Sequence, residues 1–162
     1  MALSRLEWHS FRLANAYGPR NLSGPLPTFY SRLTSGKPCF VMDTRRDFVF
    51  VTDLIDLLEK AIDGIGGAGP YHVSSGGDYS IQELFEATSA ALGAHPEEPV
   101  EVRPRGADDA YTILLDPTRT TQDFGWQPTV GLEEGVRATV EYYRQFGIAD
   151  TYTHLKLEQL RA

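Results

Sequence analysis

Asn15 ends an apolar run, Phe11-Arg12-Leu13-Ala14, and is followed at once by Ala16-Tyr17-Gly18-Pro19-Arg20. A carboxamide there can donate to a phosphate or sugar oxygen and accept a hydrogen bond in return. Asparagine also suits a turn, with Gly18 and Pro19 supplying the rest of the bend, so ligand contact and turn formation both stand for this residue. Arg46, in Arg46-Asp47-Phe48-Val49-Phe50-Val51-Thr52-Asp53, carries a planar guanidinium able to pair two anionic oxygens at once. Strand alternation turns its neighbour Arg45 to the opposite face, where a solvated charge is expected. Asp47 and Asp53 read as an arginine-orienting carboxylate and a helix cap rather than an acid and base pair. Arg103 and Arg105 flank Pro104 ahead of Asp108-Asp109; either could meet an anion, or both could be exposed loop charges. Tyr17 and Phe29 could line a pocket or fill a core.

Two other patterns imitate dinucleotide chemistry. Gly64-Ile65-Gly66-Gly67-Ala68-Gly69 has the glycine spacing of a phosphate loop, but such a loop needs a strand before it and a helix after it, so that amides face the pyrophosphate. Here a helix precedes and a strand follows, which reads as a helix stop and a turn. Tyr152-Thr153-His154-Leu155-Lys156 has the spacing of a catalytic tyrosine and lysine, yet it follows the last core helix in a polar tail and reads as a terminal segment. His9, His72, His95 and His154 show no ligand spacing with one another or with Cys39, so no metal is expected.

The elements that would position these groups alternate between strand and helix. Trp8–Asn15 reads as a buried strand ending in a turn, Pro25–Leu33 as a short helix, and Cys39–Met42 with Asp47–Val51 as a strand pair. Thr52 is expected to cap a helix from Asp53, with Leu54, Leu57, Leu58, Ala61 and Ile62 on one core face. A short strand at Tyr71–Ser74 precedes a capping box, Ser80 with Glu83, and a helix to about Leu92. Val100–Val102 reads as a strand, Asp116 as the cap of a helix over Pro117–Phe124, and Leu132–Phe146 as the last helix.

With 162 residues, 41% of them hydrophobic, the chain can bury one core. A net charge of −7 argues against nucleic acid, which needs a basic face. Arg12, Arg20, Arg45 and Arg46 nonetheless gather positive charge in the first third, which suits a small anion. A single cysteine permits no internal disulfide, no apolar run approaches a membrane span, and Met1–Trp8 has no secretory pattern, so a cytoplasmic location is expected.

Five segments in order, Phe11–Arg20, Arg46–Asp53, Tyr71–Gly76, Ser80–Leu84 and Phe124-Gly125-Trp126-Gln127-Pro128, resemble the extended short-chain dehydrogenase/reductase family, in particular its NAD-dependent nucleotide-sugar epimerases and dehydratases. The resemblance spans roughly Leu6 to Phe146. It implies an α/β fold: the terminal part of a Rossmann-type sheet plus the small mixed α/β substrate-binding lobe. Residues 1–146 would be the carboxyl-terminal substrate-binding part and 147–162 a polar tail. Asn15 would contact the nucleotide sugar, Arg46 its diphosphate, Arg103 its base or phosphates, and Tyr17 the sugar pocket. Ala14 and Ala16 would flank the place where nicotinamide and sugar meet. The stretch Arg103–Asp109 departs from the family by having no basic residue after the aspartate, which leaves the base recognised unassigned.

In complete family enzymes NAD takes hydride from the sugar, and the catalytic tyrosine and lysine precede the region resembled here. No catalytic residue is therefore assigned, and tight NAD binding by this chain alone is not expected. The partners implied are a nucleotide-sugar substrate and either a Rossmann half or a second copy of the chain, without membrane or nucleic acid. A non-enzymatic assembly module built on the same lobe is the alternative.

Overall fold

The computed structural model describes residues 7–95 and 98–148. The chain runs β1 (His9–Leu13), β2 (Asn15–Tyr17), α1 (Pro25–Thr34), β3 (Phe40–Met42), β4 (Arg45–Arg46), β5 (Phe48–Phe50), α2 (Val51–Ile62), β6 (Gly69–Val73), β7 (Tyr79–Ser80), α3 (Ile81–Leu92), β8 (Glu101–Arg103), β9 (Thr112–Ile113), α4 (Thr118–Phe124) and α5 (Leu132–Phe146). The tyrosine–lysine pattern at 152–156 and most of the polar tail lie outside the described residues.

Phe48, Val49 and Phe50 are three consecutive apolar residues, and all are buried because β5 has a core on each side. Successive side chains in a strand point to opposite faces. Phe48 and Phe50 join Tyr17, Leu26, Phe29, Leu84, Leu132 and Val136 in one cluster. Val49 points the other way, into Leu57, Tyr71, Val73, Phe124 and Trp126. β5 lies parallel to β2, with Asn15 opposite Phe48 and Tyr17 opposite Phe50. β1 lies parallel to β6, from His9 opposite Gly69 to Leu13 opposite Val73. The fold is thus mixed α/β with parallel pairings joined by helices, as the alternation implied.

The single strand expected at Trp8–Asn15 is two strands broken at Ala14, whose amide still donates to Val73 O at 2.9 Å. The strand pair expected from Cys39–Met42 and Asp47–Val51 does not exist. β3 pairs with β8, and β5 pairs with β2. A strand buried on both faces is served by a parallel neighbour reached through a crossover, not by a hairpin partner. The intervening residues instead form β4, antiparallel to β7 and parallel to β9.

Both aspartates of the motif do something other than expected. α2 begins at Val51, with Phe50 as its N-cap and no side-chain cap, so neither Thr52 nor Asp53 caps it. The buried Asp53 carboxylate accepts from Thr129 N at 3.0 Å, Thr129 Oγ1 at 2.8 Å and Val130 N at 3.1 Å, while its carbonyl accepts from Trp126 Nε1 at 2.8 Å. A buried carboxylate must find donors, and the amides leading into α5 supply them. Asp47 orients no arginine. Its Oδ1 accepts from Ser75 N at 3.0 Å and Ser75 Oγ at 2.6 Å. The core face of α2 is also narrower than its apolar content suggested: Leu54, Leu57 and Ala61 pack inward, whereas Leu58 and Ile62 are 39% and 84% exposed.

The local signals at α3 and α4 hold. Ser80 Oγ accepts from Glu83 N at 3.0 Å and Glu83 Oε2 accepts from Ser80 N at 2.7 Å, the reciprocal capping box. Asp116 Oδ1 accepts from Thr118 N at 2.9 Å, though Pro117 occupies the cap position and the helix starts one residue later than expected.

Replacing Ser80 with alanine should cost about 1 kcal/mol in urea denaturation. The hydrogen bond from Ser80 N holds the Glu83 carboxyl below its usual range. The box therefore stabilises fully above the unfolded carboxylate value of about 4.3, and that contribution is lost as pH falls through the lower folded value. The difference between wild type and Glu83→Gln, which removes the titrating carboxylate, should shrink in acid accordingly. At Gly135, a Cβ would fall on Tyr17 Oη and crowd Phe50. Gly135→Ala should destabilise by roughly 1–3 kcal/mol from overpacking, despite alanine's better helix propensity. Thermal denaturation showing a gain would contradict this packing of α5 on β2.

Candidate functional site

The break between β1 and β2 puts Asn15 at a strand end, and Asp47 O holds it there twice. Asn15 N donates to that carbonyl at 3.0 Å and Asn15 Nδ2 at 2.9 Å. The carboxamide is therefore oriented while the residue remains exposed, and its Oδ1 receives no hydrogen bond from the described residues. Turn formation and ligand contact, the two readings of Asn15, are compatible: the backbone pairing sets the side chain rather than consuming it.

Asn15 stands between two cavities. One, of about 170 Å³, is lined by Leu13, Ala14, Asn15, Arg46, Ile113 and Leu115. The other, of about 240 Å³, is lined by Asn15, Ala16, Tyr17 and Phe48, by Asn21–Leu26 without Leu22, and by Leu84. Asn15, Arg46 and Ala14 are thus brought together around one opening, with Tyr17 on the neighbouring one.

Arg46 is mostly buried, with both terminal nitrogens engaged. Its Nη2 donates to Asp109 Oδ1 at 2.8 Å, and its Nη1 donates to the carbonyls of Arg45, Ala110 and Tyr111 at 2.7, 3.0 and 3.3 Å. β4 is only two residues long; pairing with β9 places Arg46 opposite Ile113 and so brings the 109–115 segment against the cavity. Arg45 is not a free surface charge. It bonds Asp78 Oδ2 at 2.9 Å and approaches Glu83 Oε2 at 3.5 Å, away from the cavity-lining residues.

Tyr17 is a core residue with an edge on the second cavity. Its hydroxyl donates to Leu132 O at 3.3 Å, and burial, reinforced by Tyr79 and by the carboxylates Asp53, Glu133 and Glu134, raises its pKa. It is held as a phenol and is not a proton acceptor near neutrality. Arg103 does not join the group. Its guanidinium pairs with Glu101 at 2.8 and 2.9 Å and stacks 3.7 Å from the Phe40 ring centroid, and it lines neither cavity. Arg105 is nearer to Arg46 through the chain: its Nη1 donates to Asp109 O at 2.7 Å.

Sequence reasoning missed the apolar wall formed by Leu13, Ile113 and Leu115, and the small polar residues Asn21 and Ser23 of the second cavity. The only local trace of the wall was the Ile113-Leu114-Leu115 run. The glycine stretch 64–69 lies between α2 and β6, the order opposite to a phosphate loop. Gly67 N and Gly67 O are both bonded to Tyr71 Oη, at 3.1 and 2.7 Å, so this backbone is spent on the fold. Among the described residues no group of three or more histidine, cysteine or acidic side chains is arranged to hold a metal, and no helix is long and apolar enough to cross a membrane.

Comparison with known proteins places this geometry. Residues 4–139 match the family described as GDP-mannose 4,6 dehydratase. A UDP-glucose 4-epimerase of Mycolicibacterium smegmatis is 38% identical over 139 residues, 81% of this chain and 44% of the relative. Among solved structures, the Bordetella bronchiseptica enzyme WbmG in complex with NAD and UDP is 37% identical with a TM-score of 0.85, covering 94% of this chain and 49% of that one. WbmH of the same organism, in complex with NAD+, is 52% identical with a TM-score of 0.81 over 90% of this chain and 48% of that one. The chain spans about half the length of these relatives. Five ordered motifs, a parallel α/β framework and a family match across most of the sequence agree: the chain belongs to the GDP-mannose 4,6 dehydratase family of NAD-dependent nucleotide-sugar epimerases and dehydratases.

Proposed function

We propose that this chain is the nucleotide-sugar-recognising part of such an enzyme, with the diphosphate at Arg46 and Asn15. The observation that carries this reading is their convergence on one opening from different strands: Asn15 is oriented by Asp47 O, and Arg46 is presented by β4. A diphosphate offers a guanidinium several charged acceptors, and the amide of Asn15 adds direction. The second cavity, polar at Asn21 and Ser23 and apolar at Leu26 and Phe48, would receive an adjoining group of the substrate. Arg103, expected at the base or phosphates, is assigned no contact here, because it lines neither cavity beside Asn15.

NAD, which the complete family enzymes use, supplies the hydride acceptor. Ala14 edges the opening with a side chain small enough to admit a flat ring, and Gly67, in the glycine stretch with phosphate-loop spacing, is bonded to Tyr71. The contribution of this chain is therefore to bind and orient the sugar nucleotide. Proton and hydride transfer fall to residues assigned elsewhere in the family enzyme.

Among the described residues β1 pairs only with β6, and Trp8 and Leu13 are 55% and 45% exposed, which favours a packing partner along this edge. That partner is either the remainder of the family fold or a second copy of this chain, the contact on which the non-enzymatic alternative also depends. Sedimentation of the purified chain should show concentration-dependent association; a compact monomer throughout would argue against an exposed sheet edge.

Titration of UDP, dTDP, CDP and GDP, followed by NMR, should give weak binding with a preferred base and should shift the Asn15 side-chain resonances. Arg46→Ala should remove a charge-assisted contact of roughly 1.5–3 kcal/mol, about ten- to a hundredfold in affinity. Arg45→Ala and Arg103→Ala should do much less. Equal losses at all three, with Asn15 unmoved, would sink the proposed site.

A further inference from the structure

One wall of the second cavity is built by residues 18–24, the segment between β2 and α1, which contributes Asn21, Ser23 and Gly24. Arg20 within it has a left-handed φ of 69°, a conformation that a residue other than glycine keeps where its surroundings impose it. Asn21 is the hub of the segment. Its N donates to Gly18 O at 3.1 Å and its Nδ2 to Ala16 O at 3.2 Å, while its Oδ1 accepts from Ser23 N at 2.9 Å. These bonds fold the segment on itself and leave its position against the rest of the lobe unset. The Asn21 carbonyl reaches further: it accepts from the hydroxyl of Tyr143, 122 residues along the chain. Among the described residues no other hydrogen bond reaches the segment from beyond its own neighbours. We propose that Tyr143 is a positioning residue for the substrate: through Asn21 its hydroxyl fixes the wall of the second cavity, and so sets how well the group received there is held. This rests on the reading of that cavity as part of the nucleotide-sugar site.

Tyr143 lines neither cavity beside Asn15, so any effect on a ligand passes through Asn21. Its ring is fully buried in α5 and stands edge-on to Tyr30 of α1, 5.0 Å between centroids, so packing holds the ring without help from the hydroxyl. Burial, with Tyr30 adding to it, raises the pKa of the phenol and keeps it a donor. Eight residues earlier on the same helix, Gly135 lies against Tyr17, where a Cβ would strike the hydroxyl. At 1.5 Å per residue the two points are roughly 12 Å apart. One rigid helix therefore seats Tyr17 and Asn21, two lining residues of the cavity, relative to each other.

The test is a titration of UDP-glucose and of inorganic pyrophosphate into the full chain, followed by NMR, in wild type and in Tyr143→Phe, Tyr71→Phe and Arg46→Ala. Tyr143→Phe keeps the ring and removes the donor. It should weaken UDP-glucose by about three- to tenfold, the span of one hydrogen bond. Pyrophosphate, which has no group for the second cavity, should bind as in wild type. Tyr71→Phe removes an equally buried hydroxyl, bonded to Gly67 and Asp123 in the other core, and should leave both ligands unaffected even at a similar loss of stability. Amide hydrogen exchange at Asn21 and Ser23 should quicken in Tyr143→Phe beyond the change in global unfolding, and should not in Tyr71→Phe. Wild-type affinity for UDP-glucose in folded Tyr143→Phe, an equal loss in Tyr71→Phe, or a parallel loss of pyrophosphate overturns the role of Tyr143. Loss of both ligands in Arg46→Ala would in that case leave the diphosphate reading standing. Ligands indifferent to Arg46→Ala overturn that reading instead, and absence of UDP-glucose binding by folded wild type overturns both.

Discussion

The parallel register of β2 on β5 is the constraint on which the rest of the structure depends. It sets Asn15 opposite Phe48, divides Phe48-Val49-Phe50 between two cores, and leaves the Asp47 carbonyl free to take both the amide and the carboxamide of Asn15. A shift of one residue would turn Val49 toward Phe29 and Leu84 and point the two phenylalanines at Trp126, exchanging the side chains that each core is packed around. The position of the candidate ligand residue is thus a by-product of packing two apolar clusters on one three-residue strand.

Three aspartates tie distant segments to that strand. Asp47 holds the turn at Ser75, Asp53 holds Thr129 and Val130 ahead of α5, and Asp109, ahead of β9, meets Arg46. The first two are buried, Asp53 with donors on both carboxylate oxygens and Asp47 with donors on Oδ1 alone, so removing either would strand amides and hydroxyls without partners. The third is partly exposed, and its partner Arg46 lies on a cavity wall.

Several arginines are paired with nearby carboxylates, in a chain whose net charge is −7. Arg45 is answered by Asp78, Arg46 by Asp109, Arg103 by Glu101 and Arg119 by Asp123. An anion site in such a setting cannot rely on a broad positive field and must work by contact. Arg46 combines an internal pairing with a place on a cavity wall that also carries a side-chain amide. This juxtaposition, rather than the number of arginines in the first third of the sequence, singles it out.

The sequence by itself determined where the helices lie, because periodicity and capping are written within a turn or two: the Ser80 and Glu83 box opens α3 as expected, whereas α2 begins two residues earlier and α4 one residue later than the expected starts. It also determined the family, through five short motifs in order, and it named Asn15, Arg46 and Ala14, which the fold brings to one opening. What only the tertiary structure decided is partner choice. Asp53 as a clamp rather than a cap, Asp47 turned to Ser75 rather than to an arginine, β3 and β5 paired elsewhere than with each other, and Arg103 drawn to Glu101 and Phe40 could not be foreseen from spacing. The Asp47 and Asp53 contacts cross 28 to 77 residues of chain, and the Arg46–Asp109 pair crosses 63. No local rule encodes such distances, because a buried carboxylate takes whichever donors the packing of the cores delivers to it.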